Sequence, residues 1–397
     1  MPELSTRCFD ESSLMRRILA VVLTIALLVS ACGKHSAIVV AELDPQTTAK
    51  LDSAINEILT SAAVPGAIVG VWGPKGQYVR TFGVANTATR APLRPDFYHR
   101  IGSVTKTFTV TAVLQLVDEG KVELDDPIAK YVDKVPNGNK ITLRELARMQ
   151  SGLFNYSMSL AFSRDLEADP RRQYSTHELL DYAFAQPSNF VPGQGYEYSN
   201  TNAVLLGQVV EKVSGQTLPA FVQEHITGPL GMRRTSFPET SAIPDPHARG
   251  YTQLTPTGSL VDSTDWNPSW ASWAGAMIST LDDLRIWVPA LATGVLLKPD
   301  SQQQRLQTVA MPPVPDDIRY GLGIFDARGW IGHNGSIPGY QTLAIYSPAE
   351  QTTVVALLNT DVAKQPAQPS TLFGTAITKV ISPDHVFLLE NAIPQPR

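Results

Sequence analysis

The sequence predicts an α/β (α+β) protein in which an antiparallel sheet is built from both ends of the chain and flanked by helices. β-Rich runs lie near the amino end, at residues 67–73 and 77–84, and return near the carboxyl end, over residues 329–360. Helical patterns dominate between them, from about residue 110 to residue 300. Strands at both ends imply one shared sheet with a mainly helical region inserted into it.

The composition is typical of a chain large enough to bury a core and is not typical of a nucleic-acid-binding protein. Of 397 residues, 43% are hydrophobic and 17% are charged, which allows one large domain or two. Lysine and arginine number 32 against 37 aspartate and glutamate, so the net charge is −5. Because no basic run interrupts this balance, we expect no nucleic-acid partner.

The first 31 residues are typical of an export signal. Two arginines precede an uncharged apolar run at residues 18–31, which is short for a membrane span but suits a signal peptide. Small residues lead directly into Cys32, and this box resembles the cleavage site of bacterial lipoproteins, whose cysteine carries the lipid. We therefore expect a signal peptide at 1–31, a tether at 32–43 and a lipid anchor on the outer face of the cell membrane. Met15 is an alternative start, and a plain secretory signal or an uncleaved anchor is the alternative reading.

Cys8 and Cys32 are the only cysteines in the sequence. If the chain is cleaved before Cys32 and that thiol is acylated, the mature protein has no disulfide, no thiol nucleophile and no zinc site built on cysteines. Its stability must then come from packing.

Turn and cap residues mark the ends of the terminal elements. Asp44 and Pro45 begin a helical pattern that stops at Pro65. Residues 74–76, a Pro-Lys-Gly run, indicate a hairpin between the first two strands. Residues 370–381 are predicted to form a last helix. A cleft is expected where the sheet meets the inserted helical region.

The first candidate for chemistry is Ser103, three residues before Lys106 at the start of an apolar helix. One helical turn separates them, so the lysine ammonium can approach the serine hydroxyl. The unpaired N–H groups at a helix start also suit an oxyanion. The structural alternative is that Ser103 or Gly102 merely caps the helix while Lys106 is solvated.

The second candidate is the loop Tyr198-Ser199-Asn200, which precedes another apolar helix. Tyr198 could carry a proton if nearby cations lowered the pKa of its phenol. Asn200 offers a substrate both an amide donor and an acceptor. A core tyrosine and a turn asparagine are the structural alternative.

The third candidate lies in a β-type run that contains His333, Gly335 and Ser336. Glycine inside a strand often marks the close approach of a ligand or of a second backbone. The N–H of Ser336 could face a bound carbonyl, while His333 could supply a hydrogen bond or, when protonated, a positive charge. The alternative for His333 is a satisfied edge-strand histidine.

Together, Ser-x-x-Lys, Tyr-x-Asn and His-x-Gly in this order resemble the serine β-lactamase and penicillin-binding protein family. The branch is that of class C β-lactamases, D-alanyl-D-alanine carboxypeptidases and related esterases and D-aminopeptidases. Supporting segments at residues 141–153, 274–287 and 320–324 extend the resemblance over nearly the whole mature chain. Residues 44–390 are therefore expected to form a serine hydrolase domain.

The resemblance implies an acyl-enzyme at Ser103. Lys106 and Tyr198 would share the proton transfers, with the choice of general base left open, because coupled groups titrate as a set. The N–H groups of Ser103 and Ser336 would form the oxyanion hole. No metal or organic cofactor is implied. The residues implied to bind substrate are Asn200, His333 and Gly335.

The substrate stays open at this stage. D-Alanyl peptides or β-lactams are the first expectation, an esterase or D-aminopeptidase on the same site is the second, and a non-catalytic scaffold is the third. His333 and Asn334 stand where β-lactamases have lysine and threonine, which makes efficient β-lactamase action doubtful. A substrate carboxylate would then need protonated His333 or an arginine, for which Arg319 and Arg328 are the nearest candidates. The sequence leaves the oligomeric state undetermined.

Overall fold

The computed structural model describes residues 41–364 and 367–389. The chain begins with a helix, a hairpin and a short strand, namely α1 (Pro45–Ser61), β1 (Gly66–Gly73), β2 (Gly76–Gly83) and β3 (Tyr98–Arg100). A 3-10 turn, Gly102–Val104, leads into α2 (Thr105–Asp118). The helical part continues with α3 (Leu143–Ala147), α4 (Leu160–Ala168), α5 (Thr176–Phe184), α6 (Asn200–Ser214) and α7 (Leu218–Val222).

The remaining elements complete the helical part and then return to the sheet. The helical part ends with β4 (Tyr251–Thr252), β5 (Val261–Asp262), α8 (Ser272–Gly275), β6 (Ile278–Thr280), α9 (Leu281–Thr293) and α10 (Pro299–Arg305). The carboxyl-terminal elements are β7 (Val309–Ala310), β8 (Ile318–Tyr320), β9 (Phe325–Ala327), β10 (Trp330–Ile337), β11 (Tyr340–Ser347), β12 (Thr352–Leu358) and α11 (Pro369–Ile381).

The main sheet has eight strands in the order β2-β1-β12-β11-β10-β9-β8-β7, and each neighbouring pair is antiparallel. The first two strands of the chain pair with the last strand, with Ala67 opposite Leu358. The predicted architecture is therefore confirmed: both ends of the chain build one antiparallel sheet, and helices α2 to α10 lie between them in sequence.

Both faces of the central strands are covered. Along β1, Ala67, Val69 and Val71 pack in one cluster with residues of α1 and α11. Ile68 and Trp72 pack in a second cluster with residues of α2 and α9. Because both faces of these strands are buried, their sequences are continuous apolar runs. They lack the alternation of polar and apolar residues that is typical of a sheet with one face exposed to solvent.

The amino-terminal boundary differs slightly from the expected one. The tether expected at 32–43 does not extend to its last residue, because Leu43 is buried and its N–H donates to the carbonyl oxygen of Gln77 at 2.9 Å. Asp44 then caps α1, as its side chain accepts from the N–H groups of Gln46 and Thr47. The expected signal peptide and Cys32 lie outside the described residues.

Three short strands, β7 to β9, extend the sheet beyond β10 and were not anticipated. Each has only two or three residues, too few to show a period of two in the sequence. They matter to the site because β9 pairs only with the first residues of β10, up to Gly332. The residues of β10 that follow Gly332 do not pair with β9 and contact the turn before α2. Among the described residues, no helix is long and apolar enough to cross a membrane.

Candidate active site

Ser103 lies in the 3-10 turn that joins β3 to α2, where the chain changes direction. Gly102 permits this change, since its φ of +50° lies in the left-handed region that favours glycine. The turn leaves the Ser103 side chain half-buried. It also leaves the N–H of Ser103 at the start of a helix, where no preceding helical carbonyl accepts it.

Lys106 follows one turn later and is fully buried, with 0% of the residue exposed. Its Nζ lies 3.0 Å from Ser103 Oγ, 2.7 Å from Asn200 Oδ1 and 2.9 Å from the carbonyl oxygen of Ala274. None of these partners is a carboxylate. Burial without a counter-ion lowers the pKa of Lys106 well below its usual value, because the apolar surroundings disfavour the charged form.

Asn200 is held in one orientation by a chain of hydrogen bonds from the loop before α4. Its Nδ2 donates to Ser157 Oγ at 3.0 Å, and the Ser157 hydroxyl donates in turn to Asn155 Oδ1 at 3.0 Å. The backbone N–H of Asn200 donates to the same Asn155 oxygen at 3.2 Å. With Nδ2 engaged in this way, Oδ1 of Asn200 is the atom that faces Lys106.

Tyr198 lies beside the same amine, with Lys106 Nζ 4.7 Å from the centre of its ring. Only 3% of the residue is exposed, and its hydroxyl has no hydrogen-bond partner among the described residues. Burial raises the pKa of the Tyr198 phenol, and the neighbouring Ser103 side chain offsets only part of that rise. The phenol therefore keeps its proton at neutral pH.

Two glycines bring β10 against the Ser103 turn. A Cβ on Gly102 would lie 2.7 Å from the backbone nitrogen of Ser336, and a Cβ on Gly335 would lie 2.9 Å from that of Ser103. Neither distance is tolerated by a real side chain, so only glycine allows this approach. The N–H groups of Ser103 and Ser336 are thereby brought to one place.

His333 does not occupy the position expected of a substrate-binding residue. It is 0% exposed and does not line the cavity. Its Nδ1 lies 2.5 Å from the carbonyl oxygen of Asn334, and its Nε2 lies 3.0 Å from the hydroxyl of Tyr320. Since a carbonyl only accepts, Nδ1 carries the hydrogen and Nε2 accepts from Tyr320. Burial, with a smaller effect from Lys106, lowers the pKa of His333 to about 3, so the ring is neutral.

The geometry therefore disfavours the expectation that His333, when protonated, binds a substrate carboxylate, for two physical reasons. The ring is packed behind Tyr198, with 6.1 Å between the ring centres, and both nitrogens are engaged within the protein. A buried imidazole with these partners has neither the exposure nor the protonation that binding a carboxylate requires. It is a satisfied histidine within the sheet and not on an edge strand.

A cavity of about 300 Å³ opens over Ser103. Its walls come from the turn before α2, the loop before α6, β10, the β4–β5 connection and the loop after β12. Lining residues that bear on the chemistry are Ser103, Tyr198, Asn200, Trp270, Ser336 and Asp361. Gly335 and Asn334 also line it, whereas Lys106 reaches Ser103 from beneath. Among the described lining residues, Asp361 alone is charged.

Neither arginine considered for a substrate carboxylate reaches this cavity. Arg319 donates to the side chain and the carbonyl of Thr308, at 3.0 and 3.1 Å. Arg328 forms an ion pair with Asp317 at 2.6 Å on the surface. In the described part of the chain, the cavity therefore presents no cationic side chain to a substrate, and no group of three His, Cys, Asp or Glu side chains is placed to hold a metal ion.

Sequence reasoning missed three contributors to the site. Ser157 orients Asn200, the carbonyl of Ala274 binds Lys106, and Asp361 lines the cavity. Ser157 carries only a weak signal, because it lies just beyond the supporting segment at residues 141–153. A backbone carbonyl leaves no sequence signal, and Asp361 follows the last strand with nothing to distinguish it from a surface acid.

A family model described as "Beta-lactamase" matches residues 51–373. The chain is 25% identical over 326 residues to Protein flp of Staphylococcus aureus (strain MW2), covering 78% of this chain and 62% of that protein. It is 27% identical over 325 residues to the D-aminopeptidase of Brucella anthropi, covering 79% of this chain and 59% of that protein. The chain thus spans about three fifths of the length of these curated relatives.

Solved structures also resemble this chain. A D-stereospecific amidohydrolase from Streptomyces sp. has a TM-score of 0.76 and 30% identity, covering 85% of this chain and 99% of that one. A penicillin-binding protein from Bacillus halodurans has a TM-score of 0.67 and 26% identity, covering 78% and 96%. The D-amino acid amidase from Ochrobactrum anthropi SV3, in complex with D-phenylalanine, shares the fold with a TM-score of 0.75 at 24% identity, covering 84% and 99%.

Proposed function

This chain belongs to the β-lactamase family, and on that basis we propose that it is a serine hydrolase that forms an acyl-enzyme at Ser103. The observation that carries the proposal is the set of partners around Lys106 Nζ. The side-chain oxygen of Asn200 and the carbonyl oxygen of Ala274 only accept hydrogen bonds, whereas the Ser103 hydroxyl can also donate. A neutral amine, with two hydrogens and one lone pair, satisfies both acceptors and directs its lone pair at the Ser103 hydroxyl.

We assign the general base to Lys106 and the proton donor to Tyr198. The lowered pKa of Lys106 leaves its amine free to take the Ser103 proton as Oγ attacks the substrate carbonyl. The raised pKa of Tyr198 keeps its phenol protonated, so it can give a proton to the leaving group and be reprotonated from Lys106. Water then hydrolyses the acyl-enzyme by the same transfers in reverse.

The N–H groups of Ser103 and Ser336 are assigned to the oxyanion hole. Their support is the close approach of β10 to the Ser103 turn, which only glycine at positions 102 and 335 allows. Each such donor contributes about 3 kcal/mol to acyl transfer in other enzymes. Gly335 therefore acts through its lack of a side chain, and Asn200 acts by holding Lys106 in place.

The charge of the cavity indicates which acyl donors fit. D-Alanyl-D-alanine peptides and β-lactams bring a carboxylate, and a buried carboxylate needs a cation or several hydrogen-bond donors. The described lining residues offer no cation and one acid. We therefore favour substrates that lack that carboxylate, namely amides or esters of D-amino acids. The similarity to a D-aminopeptidase and to a D-stereospecific amidohydrolase supports this choice.

A D-alanyl carboxypeptidase or penicillin-binding activity is the second candidate. The similarity to the penicillin-binding protein from Bacillus halodurans favours it. In this cavity the substrate carboxylate would depend on neutral donors such as the hydroxyl of Ser336 and the amides of Asn334 and Gln368. Neutral donors bind carboxylates less strongly than guanidinium or ammonium groups do.

One experiment separates these candidates. The parent and Ser103→Ala are incubated with D-phenylalanine p-nitroanilide, with its L-enantiomer and with benzylpenicillin, and both p-nitroaniline release and intact mass are followed. Ser61→Ala, an exposed serine at the end of α1, is the matched control. We expect D-selective release from the parent and from the control, and none from Ser103→Ala.

The other outcomes have distinct meanings. A persistent penicillin adduct that requires Ser103, without anilide hydrolysis, would favour the second candidate. If the parent hydrolyses none of the three compounds and a serine-directed fluorophosphonate fails to label Ser103, the acyl-enzyme proposal is wrong and a non-catalytic scaffold becomes the better interpretation.

We propose further that the protein is exported and anchored to the outer face of the cell membrane through lipidated Cys32. The support is the sequence alone: an apolar run of signal-peptide length that ends in small residues before this cysteine. The full chain and Cys32→Ser, expressed in a bacterial host with radioactive palmitate, test it. Label on the full chain and none on the variant is expected, and equal labelling would contradict the anchor site.

A further inference from the structure

The loop after β12 places one carboxylate in the wall of the cavity. Asp361 Oδ1 accepts the N–H of Gly339 at 3.1 Å, and Oδ2 accepts the hydroxyl of Thr252 at 3.0 Å. These two partners come from the β10–β11 turn and from β4, so the carboxylate is held from two sides. Asp361 lines the same cavity as Ser103.

In the part of the chain that the structure describes, no cationic side chain balances the charge of this carboxylate. No lysine, arginine or histidine among the described residues lies within ion-pair distance of Asp361. Its two hydrogen-bond partners are neutral. Burial raises the pKa of Asp361 to about 6, so the group is mostly ionised at neutral pH but at a cost in free energy.

A purely structural role does not require this charge. Asparagine at position 361 could accept from Gly339 through its oxygen and donate to Thr252 through its amide, which would make the equivalent two bonds. It would do so without a carboxylate at this half-buried position, and a charge that is partly removed from water and has no counter-ion is destabilising. The negative charge of Asp361 is therefore explained better by a bound ligand than by the fold. A cationic group in the adjoining cavity could contact this carboxylate.

We propose that Asp361 binds a protonated amino group of the substrate and so selects acyl donors that carry a free ammonium. The inference rests on the proposed function, because the ammonium is placed relative to a carbonyl that Ser103 attacks. The cavity of about 300 Å³ is at the lower end of the range for small-molecule sites, which suits one amino-acid side chain with its ammonium. The ammonium takes no part in bond making and only fixes the orientation of the acyl group.

The test compares two substrates that differ only in the ammonium. These are D-phenylalanine p-nitroanilide and the p-nitroanilide of 3-phenylpropionic acid, which has the same skeleton without the amine. kcat and KM are measured for the parent, for Asp361→Asn and for Asp181→Asn. The last variant removes the same charge from an exposed position on α5 and is the matched control.

We expect the parent to prefer the ammonium substrate, and Asp361→Asn to lower the ratio of the two kcat/KM values by about 10- to 100-fold, mainly through KM. This is the size expected for one charge-assisted hydrogen bond. Asp181→Asn should leave the ratio unchanged. If Asp361→Asn lowers both kcat/KM values equally, Asp361 is only a structural brace and the proposal is overturned.

A binding measurement keeps this result separate from the proposed function. Ser103→Ala, with and without Asp361→Asn, is titrated calorimetrically with D-phenylalaninamide and with 3-phenylpropionamide. Weaker binding of the amine alone upon Asp361→Asn supports the ammonium site even if no anilide is hydrolysed. Equal affinity of both proteins for D-phenylalaninamide overturns the site while leaving the acyl-enzyme at Ser103 intact.

Discussion

Two basic side chains are buried beside helix α2, and the protein holds them in different ways. Lys106, at the start of the helix, contacts Ser103, Asn200 and the carbonyl of Ala274. Arg305, on α10, is 1% exposed and donates to Thr111 Oγ1 at 2.7 Å and to the carbonyl of Leu291 at 3.3 Å. Neither forms an ion pair with a carboxylate of the described residues.

The choice of residue explains the difference. Burial lowers the pKa of Arg305 to about 9, so the guanidinium stays charged at neutral pH and serves as a fixed multiple donor that ties α10 to α2 and α9. The amine of Lys106 can lose its proton when buried, and one of its partners is a hydroxyl that can supply a proton. A buried lysine therefore suits chemistry, and a buried arginine suits architecture.

The largest expected effect is the loss of activity in Lys106→Arg. Arginine is always protonated, so it cannot take the Ser103 proton, and we expect kcat/KM to fall by about 10³-fold or more. In the parent, kcat/KM should rise with pH as Lys106 deprotonates and should level off well below the usual lysine range. The rate of anilide hydrolysis measures both effects, and circular dichroism checks that the variant is folded.

Lys121→Arg, an exposed lysine paired with Glu119, serves as its control and should be unaffected. If Lys106→Arg kept more than a tenth of the parent activity, Lys106 would not be the base.

Arg305→Ala tests the other half of the comparison. It should lower the free energy of unfolding by about 3 kcal/mol, because it removes two hydrogen bonds and leaves a void in the core. Urea denaturation measures this loss, while kcat of the folded protein should change little. Arg328→Ala removes an exposed ion pair and should cost less than about 1 kcal/mol. Similar losses from both variants would argue against a structural role for Arg305.

Two tyrosines extend the comparison. Within the described residues, the Tyr198 hydroxyl has no hydrogen-bond partner, whereas the Tyr156 hydroxyl donates to the carbonyl of Trp270 at 2.7 Å. Tyr198→Phe should lower kcat by about 10²-fold without lowering stability. Tyr156→Phe should lower stability by about 1 kcal/mol and leave kcat within about threefold. Rate assays and thermal unfolding of both variants check this, and the reverse pattern would show that the roles are exchanged.

The smallest expected effect is a gain in stability from Asp361→Asn. The pKa of this carboxyl is raised to about 6 in the folded state, so the folded protein loses stability relative to the unfolded chain as pH rises from about 4 to about 6. Asparagine removes this penalty. We expect a gain of about 1 kcal/mol at pH 8, allowing for solvent in the cavity, and none at pH 3.5. Urea denaturation at both pH values measures it, and a loss of stability at both would indicate a structural brace.

Much of this protein follows from patterns that are local in the sequence. The cap at Asp44, the hairpin at residues 74–76 and the last strands and helix lie where the sequence predicts them, because caps, turns and apolar runs act over a few residues. The short strands β7 to β9 were missed because two or three residues show no period. His333 was misplaced because β10 is buried on both faces, and its sequence does not reveal which side chains face the cavity.

The sequence by itself determined that Ser103 and Lys106 share one helical turn and that both ends of the chain build one sheet. Only the tertiary structure decided the charge states that the chemistry depends on. Lys106 meets Asn200 and Ala274 from 94 and 168 residues away, and Asp361 joins the same cavity from the far end of the chain. The pKa of a side chain depends on its desolvation and on its hydrogen-bond partners. Both arise from the packing of segments that are distant in sequence, so the spacing of motifs along the chain does not predict them.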